Sequence, residues 1–92
     1  MPAVCRAGLD VHGCGSMDVQ GSPNVFVNGH PVHRVGDSES HGGVQTAGSS
    51  MVFANGISIA RVGDMGAAGE PIPPFHPPNP EATGSSNVFA GG

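Results

Sequence analysis

The sequence contains no tryptophan, no tyrosine and no lysine, and its only aromatic carbocycles are Phe26, Phe53, Phe75 and Phe89. A 92-residue chain makes one small domain at most, and with so few large side chains apolar burial leaves little margin over the entropy of ordering. Sixteen glycines and nine prolines, which bury almost nothing, thin the core further, so a staple other than hydrophobic packing is expected. Without lysine, three arginines face seven acids for a formal net charge of -4, a balance that argues against a nucleic-acid partner. No apolar run approaches the roughly 18 residues of a membrane span, and "MPAVCRAGLD" lacks the basic-then-apolar layout of a signal peptide, so a chain soluble when made is expected. Cys5 and Cys14 are too few for a disulfide framework; one bridge over a short loop stays open, and the redox compartment is undecided. The spread of glycine and proline leaves no window of helical length.

What the chain does have is repetition. "NVFVNGHPVHRVGD" (24–37) returns as "MVFANGISIARVGD" (51–64), and "NVFAGG" (87–92) begins it a third time. Asn-Gly between short β-rich runs suits the left-handed angles of a two-residue type I′ hairpin turn. The incomplete third copy has its complement at the other terminus, where "PAVCRAG" (2–8) aligns with the returning strands "PVHRVG" (31–36) and "SIARVG" (58–63). The N-terminal strand is therefore expected beside residues 87–90, giving three units of about 3–29, 30–57 and 58–92 in a single domain with pseudo-threefold symmetry. From Asp10 to Gly21 and from Asp37 to Gly48 the step is 11 residues, whereas from Asp64 to Gly84 it is 20. The excess is a proline-rich insertion, about 66–82, expected to run extended.

The arginines are Arg6, Arg34 and Arg61, each followed three or four residues later by an acid: Asp10, Asp37 and Asp64. The simplest reading is three local ion pairs bracing turns, worth a fraction of a kcal/mol each if exposed. The repeat also sorts the soft donors. His41 and Cys14 are register equivalents, His12 stands two residues before Cys14, and His76 lies within the insertion. Three equivalent loops around an axis converge at one end, where His12, Cys14, His41 and His76 would form a His3Cys set suited to one tetrahedral, structural zinc per chain. Cys5 is the rival sulfur, read instead as a buried strand residue. His30 and His33 are placed outside the site, because their spacing in a strand turns the two rings to opposite faces.

The motifs "MPAVCRAG", "HGC", "GSPNVFVNGHPVHRVGD", "SHGG", "VFANGISIARVGD" and "TGSSNVFAGG" resemble those of the PAAR-repeat family, the caps of contractile injection machines, over nearly the whole chain outside the insertion. The name motif survives imperfectly, as Pro31-Val32-His33-Arg34 and Ser58-Ile59-Ala60-Arg61. The resemblance implies an all-β, cone-shaped domain of short hairpins with a metal at its apex held by three His and one Cys; zinc fits this best, with iron as the alternative. It implies a broad base seated on a trimeric β-helical spike, one tip per trimer, with Val25, Val27, Val52 and Ala54 as candidates for the partner face. The implied role is mechanical: capping and sharpening the spike that pierces a target's outer membrane, with no enzymatic activity and no small-molecule substrate. Because the chain stops soon after its third "NVFA", a phage tail baseplate, assembled in the host cytoplasm and carried in the virion, is expected ahead of a type VI secretion tip. A small zinc enzyme, with Glu39 as the acid near the metal loops, and a free-standing metal-binding adaptor are the competing readings.

Overall fold

Two Asn-Gly pairs turn the chain back on itself. In the computed structural model, which describes residues 2–13, 15–40, 42–66 and 79–91, β1 (Phe26–Val27) pairs antiparallel with β2 (His30–Pro31), and β3 (Phe53–Ala54) with β4 (Ile57–Ser58). Asn28 and Asn55 sit at φ 54° and 56°, and Gly29 and Gly56 at 80° and 74°. Both central residues of each turn are thus left-handed, as a type I′ turn demands, and asparagine is among the few side-chain-bearing residues that accept this. The third hairpin is split across the termini. Ala3 bridges Phe89, and Val4 N–H donates to Val88 O at 3.0 Å, matching Val32 N–H to Val25 O at 3.0 Å and Ile59 N–H to Val52 O at 3.1 Å. The expected pairing of the N-terminal strand with 87–90 is present. A last short ladder, β5 (Met65–Gly66) with β6 (Asn79–Pro80), flanks the insertion, most of which lies outside the described residues. The fold is all-β, with no helix among the described residues.

The three returning segments then bind one another. Cys5 N–H donates to Ala60 O, Ala60 N–H to His33 O, and His33 N–H to Cys5 O, at 3.0, 2.9 and 3.0 Å. This closed ring of three hydrogen bonds is fully buried, so at these three residues each unit's backbone is satisfied by the other two. Beside it a small apolar core gathers Val4, Val32 and Ile59, three equivalent positions, with Ala54 and Ala90. More polar than apolar side chains are buried among the described residues, so hydrogen bonds and ion pairs carry an unusual share of the stability.

Three equivalent serines show how. Ser22, Ser49 and Ser85 are buried, and each Oγ accepts two backbone N–H groups, from Asn24 and Val25, Met51 and Val52, and Asn87 and Val88. Each hydroxyl then donates to the turn of a neighbouring unit: Ser22 to Asn55 Oδ1, Ser85 to Asn28 Oδ1, and Ser49 to Gly91 O. The Gly91 carbonyl stands where the other repeats use an asparagine side chain. Ser49→Ala leaves the part-buried N–H groups of Met51 and Val52 without an acceptor and is expected to cost about 1–3 kcal/mol, against less than about 0.5 kcal/mol for Ser86→Ala at an exposed position, as read by denaturant unfolding.

The same turn atoms receive the arginines. Arg34 grips Asp37 with Nε and Nη2 at 2.9 and 3.1 Å and donates from Nη1 to Asn55 Oδ1 at 3.2 Å. Arg6 repeats this with Asp10 and Asn28, and Arg61 with Asp64 and Gly91 O. The expected ion pairs are present and are not exposed: the arginine side chains are only about a tenth accessible, and each reaches the turn of the next hairpin. The repeat spacing gave the pairs but not their burial, which comes from the turn folded over each of them.

Candidate metal centre

Two register positions point into one space. Two residues after each repeat aspartate stand His12, Glu39 and Gly66; three residues before each "GS" glycine stand Asp18, Gln45 and Glu81. The backbone treats the second set alike. Gly8, Gly36 and Gly63, at φ between 83° and 93°, donate to the carbonyls of Asp18, Gln45 and Glu81 at 2.6, 2.8 and 3.0 Å. Asp18, Gln45 and Glu81 in turn donate to the carbonyls of Asp10, Asp37 and Asp64. Loops folded to one pattern about one axis therefore bring their side chains to one layer, and His33 joins it from the central ring.

The result is a buried cluster of five donors. His12, Asp18, His33, Glu39 and Glu81 each offer one ligand atom, all within 4.8 Å of one another. His12 Nε2 lies against Glu39 Oε2, 3.2 Å from Glu81 Oε2 and 3.4 Å from Asp18 Oδ1. His33 Nε2 lies 3.4 Å from Asp18 Oδ1 and 3.9 Å from Glu39 and Glu81. On its far side, His33 Nδ1 is 2.7 Å from Gln20 O. A carbonyl can only accept, so this partner assigns the proton to Nδ1 and turns the Nε2 lone pair into the cluster.

Three carboxylates with no accessible surface need a counter-charge, since the effective cost is several kcal/mol for each buried ion. The chain has no lysine, and its three arginines are engaged by Asp10, Asp37 and Asp64. Protons supply part of the answer. Burial pushes the Asp18 carboxyl up to about 7. Burial also disfavours the charged His12 ring, but contacts with Asp18, Glu39 and Glu81 outweigh it and hold that ring up to about 12. A cation is the other remedy, and five converging donors could hold a metal ion.

The expected ligands divide. His12 is among the five donors, while Cys14, His41 and His76 lie outside the described residues. Cys5 is buried in the ring with its thiol donating to Thr83 O at 3.3 Å, and burial pushes its pKa up, so it is a protonated strand residue. His33, placed outside the site from its strand spacing, is in the cluster. Alternation separates His30 from His33, but it does not say which of the two faces the axis. Asp18 and Glu81 were missed, although both could have been found by aligning the residues three before Gly21, Gly48 and Gly84. On the strands expected to meet a partner, Val25 is exposed, Val27 and Val52 are half-buried against the core, and Ala54 is buried within it. The large side chains that the three equivalent strands do expose are Phe26, Phe53 and Phe89, at 57, 54 and 49%.

A small all-β domain, three similar units wound about one axis by a single chain, and a sealed donor cluster beside their central ring together define a metal-competent repeat module. The chain belongs to the PAAR motif family, whose model matches residues 35–92. No curated protein sequence matches it. The matched span holds the third unit and all but the start of the second, and the first unit is tied to them by the same hydrogen bonds.

Proposed function

We propose that this protein is a spike tip, a non-enzymatic cap on the trimeric β-helical spike of a contractile injection machine. The observation that carries the reading is the equivalence of Phe26, Phe53 and Phe89, three exposed phenylalanines at one register on three strands. One chain can cover a threefold partner well only when its own contacts repeat threefold, and exposed aromatics are the side chains that gain most from being covered. Capping also hides the strand edges of an open trimeric β-helix and ends it in a single point. The family membership supports a partner of the spike type. The solvent-sealed cluster suits a structural role, because a catalytic metal keeps an open position for substrate.

Within this reading the tip belongs to a phage tail baseplate, built in the host cytoplasm and carried in the virion, that meets the target outer membrane only in passage. A type VI secretion tip would work by the same mechanics. The test is co-elution with candidate spike trimers from both kinds of machine, with mass measured by light scattering. One tip per three spike chains is expected with the phage spike, and Phe26→Ser/Phe53→Ser/Phe89→Ser is expected to abolish it while leaving the thermal transition nearly unchanged. Binding only to the type VI trimer would move the protein to that machine. A folded protein that ignores every trimer would leave the free-standing adaptor.

A further inference from the structure

We infer that the buried chamber of His12, Asp18, His33, Glu39 and Glu81 is a metal site in its own right, built for one first-row divalent transition ion through two imidazole nitrogens and three carboxylate oxygens. It requires no sulfur and shares only His12 with the thiolate set His12, Cys14, His41 and His76 expected from the sequence. The inference stands on the geometry of the cluster and is independent of the capping role.

Size agrees first. Trans donors of an ion bound at about 2.0–2.2 Å lie about 4.0–4.4 Å apart, and the five ligand atoms already fall within 4.8 Å. Donor direction agrees next. Gln20 O holds the His33 proton on Nδ1, leaving Nε2 fully buried, aimed inward and without a hydrogen-bond partner. Oxygens of Asp18, Glu39 and Glu81 are likewise buried without hydrogen-bond partners among the described residues. Donor chemistry selects the ion: carboxylates alone would suit calcium or magnesium, but two imidazoles shift the preference to manganese, iron, cobalt or zinc.

The two positions that break the threefold pattern make room and choose the charge. Gly66 is the register equivalent of His12 and Glu39; a Cβ there would overlap His12 Cε1 and stand 2.7 Å from Gln45 Oε1 and 2.9 Å from Glu39 Oε2. Gln45 is the equivalent of Asp18 and Glu81. Its Nε2 donates to Ala47 O and Met65 O at 2.8 and 3.1 Å, which fixes a neutral, buried Oε1 beside the chamber. An acid at that point would have been the fourth carboxylate beside the chamber, and the amide avoids it.

The test uses full-length protein stripped with a chelator and reloaded with Co(II), read by elemental analysis and visible absorption. Cys14→Ser protein is expected to keep one ion per chain, with the weak bands of five- or six-coordinate cobalt and no thiolate charge-transfer band. Gly66→Ala and His33→Gln in that background are expected to lose it. Asp18→Asn/Glu39→Gln/Glu81→Gln, which removes the repulsion along with the ligands, is expected to fold with a melting temperature indifferent to chelator, whereas the wild type drops on stripping. Should the triple variant not fold, the two single variants decide by metal content. Complete loss of metal in Cys14→Ser, wild-type metal content in His33→Gln and Gly66→Ala, or a stripped wild type that melts unchanged and takes up no cobalt would each overturn the inference.

Discussion

Arg34→Met is expected to cost about 3–5 kcal/mol, the usual penalty for stranding one partner of a buried ion pair. Asp37 is buried, and without the guanidinium its carboxylate keeps only backbone donors such as the Arg34 N–H at 2.9 Å. The same change frees Asn55 Oδ1 from one of its donors, so the neighbouring turn loosens as well. For a domain of this size such a loss lowers the melting temperature by roughly 12–40 °C, at about 4–8 °C per kcal/mol. Two comparisons separate stranded charge from lost packing. Arg34→Met/Asp37→Asn should recover a large part of the loss. Arg6→Met should cost less than Arg34→Met, because Asp10 also accepts from Thr83 Oγ1 at 2.9 Å. Equal losses in the single and double variants would show that the guanidinium's hydrogen bonds to Asn55 and Gly21, and not the stranded charge, set the stability here.

Gly21→Ala is expected to cost about 1–3 kcal/mol through overpacking. Its Cβ would stand 2.7 Å from Val32 O and 2.8 Å from Pro31 Cβ, and a backbone carbonyl cannot swing aside as a side chain can. That carbonyl accepts the Ser22 N–H at 2.9 Å, so displacing it breaks a bond that the pseudo-threefold repeats as Ser49 N–H to Ile59 O and Ser85 N–H to Val4 O, both at 2.8 Å. Gly48 meets Ile59 O at 2.8 Å and Gly84 meets Val4 O at 3.0 Å, which predicts losses of the same kind, smallest at Gly84. Amide hydrogen exchange at Ser22 would show the effect locally, and protection there unchanged from wild type would refute the close-approach account. These glycines are needed for proximity alone, unlike those at φ near 80–90° in the turns.

Much of this protein was determined by its sequence alone, because local turn chemistry and an internal period are both linear properties. Asn-Gly at 28–29 and 55–56 dictated two type I′ turns, and the unfinished third copy required the N-terminal strand to complete it. The period also paired each arginine with its aspartate. Tertiary structure decided what depends on which way a repeated position faces. A two-residue strand has too little alternation to set its inner face, so phenylalanines at 26, 53 and 89 proved to be exposed, while Ala54 and Ala90 filled the core. The donors were divided by the same cause. His12 drew notice as a histidine in a converging loop, but Asp18 and Glu81 look like ordinary loop acids until three chain segments, up to 69 residues apart in the sequence, meet at the axis. His33 looked like a strand residue and became a donor because the central hydrogen-bonded ring turns its imidazole into the chamber. Burial makes those acids consequential, and burial arises only when the three units close on one another.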